Sequence, residues 1–399
     1  MKYTILFIIL LFIGCNDPSK EQTKRHQDDT VAGYTLTNDS FPVEIIEAFV
    51  PFTGTSFTAD NKRNLFYELT VLNNRRIPFT LQKLEIYDTK KPEAPIAEFD
   101  TDYLSVNFQR HGIDRDSNTL ELKGNQFGVV NIWLSLDGSD TIPGQVFHKL
   151  IFERTKSNGE TTIHPMEVAL MDIPPPTEIT LAAPFKKGKW MYGAAIHQGS
   201  RQITEGKTSY PQRYAIDWLM LDEEGAFVKD EKAKNENWTS YGVELLAVAD
   251  GTVVDVKDGI IENIPVSGKM AVTMTRQTIA GNYIVLDIGN DVYAFYAHLI
   301  PNSLRVKKGD TVKQGQVIGL LGNSGNSDAP HLHFHLETKS KITLGGEGIP
   351  YHFKEFSQLK KFTNEEFESL LELSKIPLDN LNPSKRLNEL PIGTGIVEF

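Results

Sequence analysis

Cysteine is almost absent from this 399-residue chain. Cys15 is the only one, so no disulfide can form within the molecule, and packing and hydrogen bonds must hold the fold. Long apolar runs are also lacking: the stretch Ile5 to Ile13 is too short to cross a bilayer as a helix. Positive charge is not in excess. Lys and Arg total 41 against 52 Asp and Glu, a formal net charge of -11, which argues against a nucleic-acid partner, since such partners are held by a basic face. Helical periodicity is missing from roughly the first 170 residues. Histidine is scarce at ten, which makes the three in Pro330-His331-Leu332-His333-Phe334-His335-Leu336 conspicuous. What is present is ordinary: 40% hydrophobic and 23% charged residues, and length enough for two or three domains.

The apolar stretch near Met1-Lys2 fits the core of a secretory leader. It ends in Gly14-Cys15 and resembles the lipobox of bacterial lipoproteins, with Phe12 in place of the usual Leu three residues before the Cys. The resemblance implies cleavage that leaves Cys15 as a lipid-carrying N-terminus. The protein would then be an exported lipoprotein of the cell envelope, on the periplasmic or outer-membrane face, tied to the membrane by lipid. A plain secretion signal with a chance cysteine is the alternative. Residues 16–33 are polar and charge-rich and read as a flexible tether.

Residues 34–172 carry short β-branched and aromatic runs. Examples are Val43–Val50, Leu65–Val71 and Gly128–Leu134, and turn signals such as Asp137-Gly138 and Ser157-Asn158-Gly159 separate the runs. Seven or so strands of this kind predict a β-sandwich of immunoglobulin-like type, serving as a spacer or binding module. Its histidines, His111, His148 and His164, are scattered and read as structural or surface residues. Pro174-Pro175-Pro176 marks a stiff linker over 173–187. Residues 188–353 are again β-rich with glycine turns and predict a compact antiparallel sheet. The extension 354–399 contains an amphipathic helix over Asn364–Leu373 with an acidic first turn, a short helical tail. The chain as a whole reads as mainly β.

In a strand, alternate side chains share a face. His331, His333 and His335 would therefore line one face, with Leu332, Phe334 and Leu336 packing on the other. Neutral imidazole is the commonest zinc ligand, so this pattern points to a metal site more than to a solvated polar edge.

Several ordered motifs then resemble the lysostaphin/LytM-type zinc endopeptidases, which cut peptide cross-links of bacterial peptidoglycan. These are Arg213-Tyr214-Ala215-Ile216-Asp217-Trp218, Tyr296-Ala297-His298-Leu299, Gly309-Asp310 through Gly315-Gln316 and Ile318-Gly319, Gly322-Asn323-Ser324-Gly325, and Pro330-His331-Leu332-His333-Phe334. The resemblance runs from about Gly188 to Phe353. It implies a metallopeptidase domain, zinc as cofactor and peptidoglycan peptides as partners. It further implies Asp217 and His333 as metal ligands and His298 and His331 as the catalytic, non-ligand histidines. His335 extends the run and is expected to support the site.

One position departs from the family. Its first ligand is a His four residues before the Asp, and here that residue is Arg213, which has no lone pair to offer a metal. Three outcomes are open. His197, in Ala195-Ile196-His197-Gln198-Gly199, replaces the ligand; or zinc is held weakly by two protein ligands and water; or Arg213 pairs with Asp217 and takes the place of the metal charge. His352 is a lesser substitute. The first outcome favours a zinc metalloendopeptidase. The last favours an inactive relative that binds peptidoglycan or regulates another cell-wall hydrolase. Val306-Lys307-Lys308-Gly309-Asp310 also resembles the hairpins of biotinyl and lipoyl carriers, but no modifiable Lys tripeptide accompanies it and the histidines go unexplained.

Overall fold

A computed structural model describes residues 34–36 and 46–399, apart from 115–116, 139–141, 157, 195–196, 198, 205–206, 341–344 and 380. Residues 1–33, with the leader, Cys15 and the tether, lie outside the described residues. The expectation of a mainly β chain holds: the described elements are strands apart from two short helices and a single 3-10 turn.

The first part is built from two five-stranded sheets. One runs in the order 46–49, 62–73, 127–137, 108–110, with 57–59 also on the 62–73 strand. The other runs 161–172, 145–155, 79–88, 97–99, with 121–122 on the 79–88 strand. The two share one core, containing Leu65, Tyr67, Leu69, Leu84, Ile86, Val130 and Leu150, and so make a sandwich. The immunoglobulin-like type rests on the sequence pattern alone.

The strand Lys62–Asn73 is buried on both faces over most of its length. Period-2 alternation sends Leu65, Tyr67, Leu69 and Val71 into the sandwich core. It sends Phe66 into a second core together with Trp190, Trp218 and Tyr214 of the following sheet. The described residues from Ile46 to Phe399 belong to one compact unit. The proline-rich stretch 173–187 is likewise packed rather than free. Thr177 Oγ1 donates to the Pro350 carbonyl, and Leu181 and Phe185 are buried.

His148 shows how polar groups are accommodated in the sandwich. It is fully buried, its Nδ1 2.9 Å from the Ala169 carbonyl and its Nε2 2.8 Å from the Tyr67 hydroxyl. The carbonyl can only accept, so Nδ1 carries the proton and Nε2 accepts from Tyr67. Burial pushes this imidazole down to about 4. The folded value thus lies below the unfolded one near 6.5. Above pH 6.5 both states are neutral and pH has no leverage. Between 6.5 and 4 only the unfolded chain takes up the proton, so stability falls with pH by on the order of 3 kcal/mol from this group. Chemical denaturation between pH 7 and 4 is expected to show the fall, with a shallower slope for His148→Gln. An unchanged slope in the variant contradicts the assignment.

The second part is built on an eleven-stranded sheet, with two two-stranded sheets beside it, 202–204 with 207–209 and 244–246 with 317–320. The order of the large sheet is 180–181, 352–362, 394–398, 189–193, 216–221, 332–337, 293–299, 282–287, 251–257, 311–312, with 384–389 added on the 352–362 strand. Neighbours are antiparallel except 180–181 with 352–362. Leu332, Phe334 and Leu336 are fully buried, the expected inward face of the histidine strand.

The region 354–399 is more than a helical tail. The helix is present over Asn364–Leu371, capped by Thr363 and Glu366 in a reciprocal pair of hydrogen bonds. However, Thr394–Glu398 inserts between His352–Phe362 and Lys189–Gly193, so this segment completes the middle of the sheet.

Candidate metal centre

Register brings the first two site residues together. Asp217 lies directly opposite His333 across adjacent antiparallel strands, and His333 in turn lies opposite Ala297. His333 Nδ1 stands 2.8 Å from Asp217 Oδ1. The third comes from the segment after the Lys189–Gly193 strand, whose Gly193 pairs with Asp217. There His197 Nε2 stands 2.9 Å from Asp217 Oδ2. His197, Asp217 and His333 thus each offer one ligand atom, all within 4.8 Å of one another. Two imidazole nitrogens and a carboxylate oxygen are the donor set of a catalytic zinc with a coordination position left open. The two nitrogens that need a proton to bond Asp217 are the same atoms whose lone pairs would face a cation, so the residues fit the metal that their chemistry implies.

Arg213 does not pair with Asp217. Its guanidinium is buried and binds Glu68 in bidentate fashion, with Nε to Oε1 at 2.9 Å and Nη2 to Oε2 at 2.6 Å. It also donates to Glu347 Oε2 at 2.9 Å and to the Gly348 carbonyl at 3.2 Å. Closure of the site by an Arg213–Asp217 pair is therefore excluded in this structure. His352 is also elsewhere, its Nε2 accepting from the Thr58 amide.

The two remaining histidines have fixed tautomers. His331 Nδ1 is 2.8 Å from the Ala329 carbonyl and His298 Nδ1 is 2.8 Å from the Ser324 carbonyl. Carbonyls only accept, so each Nδ1 holds the proton and each Nε2 presents a lone pair. His331 Nε2 lies 3.6 Å from Asp217 Oδ1, and the His298 and His331 rings are 4.8 Å apart. His298 reaches the site through an unusual backbone. Ala297 and His298 are consecutive yet both line one cleft, which a regular strand forbids; φ is +68° at His298 and the pairing shifts register between Asn282 and Ile284. The loop that supplies the Ser324 carbonyl can approach only because two glycines meet. A Cβ on Gly325 would stand 2.2 Å from the Gly281 amide nitrogen, and both have positive φ.

His335 is buried and stacked on Phe295, with Nδ1 3.1 Å from His333 Nε2. Its own Nε2 is 3.9 Å from the buried Glu337 carboxyl, which burial pushes up to about 9. Asp217 is the charged member of the site. Burial opposes its ionisation, but the adjacent His331 and His197, with hydrogen bonds from His197 and His333, hold its carboxyl well below the usual range. Burial pushes His333 down to about 4, and His298 well below the ordinary imidazole value.

The group sits at the floor of a cleft of about 570 Å³ whose walls include Leu219, Phe227, Trp238 and Phe367. A second cleft, of about 260 Å³, shares His197, His298 and His333 and is lined by Pro211 and Phe295. The carbonyls of Ser324 and Ala329 were not singled out from the sequence, although the Gly322-Asn323-Ser324-Gly325 motif contains the first. Glu68 carried no sequence signal at all.

Residues 238–343 match the model of peptidase family M23. The match contains His298, His331 and His333, while His197 and Asp217 lie before it. Peptidoglycan DD-endopeptidase ShyA of Vibrio cholerae is 45% identical over 174 residues, 41% of this chain and 36% of that protein. Peptidoglycan DD-endopeptidase ShyB of the same organism is 38% identical over 103 residues, 26% of this chain and 20% of that protein. The chain therefore spans about a third or less of the length of these curated relatives. Among solved structures, the catalytic domain of lysostaphin from Staphylococcus simulans is 25% identical, covering 41% of this chain and 88% of that one, with a TM-score of 0.23.

Proposed function

We propose, on the premise that this chain carries a peptidase family M23 domain, that it is a zinc-dependent endopeptidase cleaving peptide cross-links of peptidoglycan in the cell envelope. The observation that carries this reading is the convergence of His197, Asp217 and His333 on one point at the floor of a cleft. A zinc ion held by these three would polarise the scissile carbonyl and acidify the attacking water. The substrate class is supported by the names of the relatives, two of them peptidoglycan DD-endopeptidases.

The chain's own residues then divide the work. Asp217 supplies the negative charge that a dication needs, and the two neutral imidazoles complete the donor set. With a metal bound, His335 Nδ1 would accept from His333 Nε2–H, which leaves the lone pair of His333 Nδ1 for the metal. His331 Nε2, with its lone pair toward the site, takes the proton from the attacking water. His298 Nε2 presents a second lone pair, and the proton it would donate to the tetrahedral oxygen is the one taken from the water, shared with the neighbouring His331 ring. The protonated imidazole returns its proton to the leaving amine. Leu219, Phe227, Trp238 and Phe367 hold the peptide and thin the water around it. The apolar stretch ending at Gly14-Cys15 supports an exported lipoprotein of the cell envelope.

Bound metal and turnover, measured together, test the division. His333→Ala is expected to carry no zinc. His331→Ala is expected to keep zinc while losing turnover by roughly 10²- to 10⁴-fold, the usual weight of a positioned acid-base group. Equal loss of zinc in both contradicts these roles.

A further inference from the structure

We propose that the sandwich is a structural part of the metal centre and that Glu68 is its positioning residue, a proposal that rests on the zinc reading above. Both segments that bring ligands from outside the His333 strand lean on one patch of the sandwich. Arg213, four residues before Asp217, is held by both oxygens of Glu68 on the Lys62–Asn73 strand. Next to it, Tyr214 stacks on Phe66 of the same strand at 5.5 Å and 9° and meets Phe57 edge-on. In register with Glu68 on the neighbouring strand is Asn131. A Cβ on Gly199, two residues after His197, would stand 3.7 Å from the Asn131 amide nitrogen. Gly199 and Arg201 also line one pocket with Gln109 and Arg110 of the sandwich.

The physical logic is one of register. A buried bidentate ion pair tolerates little displacement, because either charge left alone in the interior is costly. Arg213 therefore pins the chain entering the Asp217 strand to a fixed point on the sandwich. The position where the family keeps a ligand has become an anchor, and the ligand has moved to a segment resting on the same sandwich face.

The test uses the chain from residue 16 onward with Glu68→Gln, which keeps the side-chain shape, beside Ile86→Val, a core change in the opposite sandwich sheet. Zinc affinity is measured by chelator competition, thermal stability by circular dichroism, and amide hydrogen exchange is followed in metal-free protein. Glu68→Gln is expected to weaken zinc at least tenfold and to speed exchange over 210–217 while 332–337 is unchanged. Ile86→Val is expected to lower the melting temperature with zinc affinity kept within twofold. Zinc affinity within twofold of wild type in Glu68→Gln, or unchanged exchange over 210–217, overturns the proposal. Absence of zinc from the wild type would sink the zinc reading instead, and the exchange result would still decide whether Glu68 holds the Asp217 segment.

Discussion

His197→Ala is expected to empty the metal centre. Purified wild-type protein should hold close to one zinc per chain, and the variant should bind it more than about 100-fold more weakly, beyond the usual cost of losing an outer-sphere partner. Turnover should vanish with the metal. The reasoning is a count of lone pairs. Among the described residues, His197, Asp217 and His333 are the one group placed to hold an ion, and removing an imidazole leaves a single nitrogen and a carboxylate. A companion variant sharpens the test. Adding Arg213→His to the His197→Ala background would recreate the family spacing in sequence, yet it is expected not to recover zinc. Residue 213 points into the Glu68, Glu347 and Gly348 pocket, away from Asp217. Zinc retained by His197→Ala, or recovered by the double variant, would refute this ligand set. Metal analysis and calorimetric titration read both.

The second large effect concerns stability. Deleting Thr394–Phe399 is expected to abolish folding of the eleven-stranded sheet rather than trim its edge. Ile396 and Val397 are fully buried, and their loss costs roughly 1.5–3 kcal/mol each in apolar burial alone. The ring of Phe399 packs on Phe185, Trp218 and Phe353. The larger loss is in pairing. Thr394–Glu398 bonds Lys189–Gly193 on one side and His352–Phe362 on the other, so its removal exposes two unpaired edges in the middle of a sheet. The burial term alone, about 3–6 kcal/mol, is already comparable to the roughly 5–15 kcal/mol by which domains are stable, and the lost pairing adds to it. The expected result is an insoluble or unfolded product by circular dichroism. A soluble, cooperatively melting truncation that binds zinc would show that the C-terminal segment is an accessory.

Much of the site was legible because its signals are local. The spacing of His331, His333 and His335 fixes a common face as soon as the segment is a strand; the strand runs over Leu332–Glu337, and Leu332, Phe334 and Leu336 join the core. The helix over Asn364–Leu371 follows from its cap and periodicity in the same way. His298 was visible as a residue, but its orientation was not. Its positive φ depends on the register of the neighbouring strand and on the Gly281–Gly325 approach, neither of which a short window encodes.

The sequence by itself determined the residue types for the chemistry, the alternation that presents them, and a net charge of -11. Tertiary structure alone decided which of those residues meet. His197 reaches Asp217 across 20 positions because the strand before it pairs with the Asp217 strand. Arg213 leaves the site because a carboxylate 145 residues away, on a strand buried on both faces, is its partner. Periodicity acts over a few residues and is written in composition. Pairing across tens or hundreds of residues is set by sheet order and core packing, which depend on the whole chain at once.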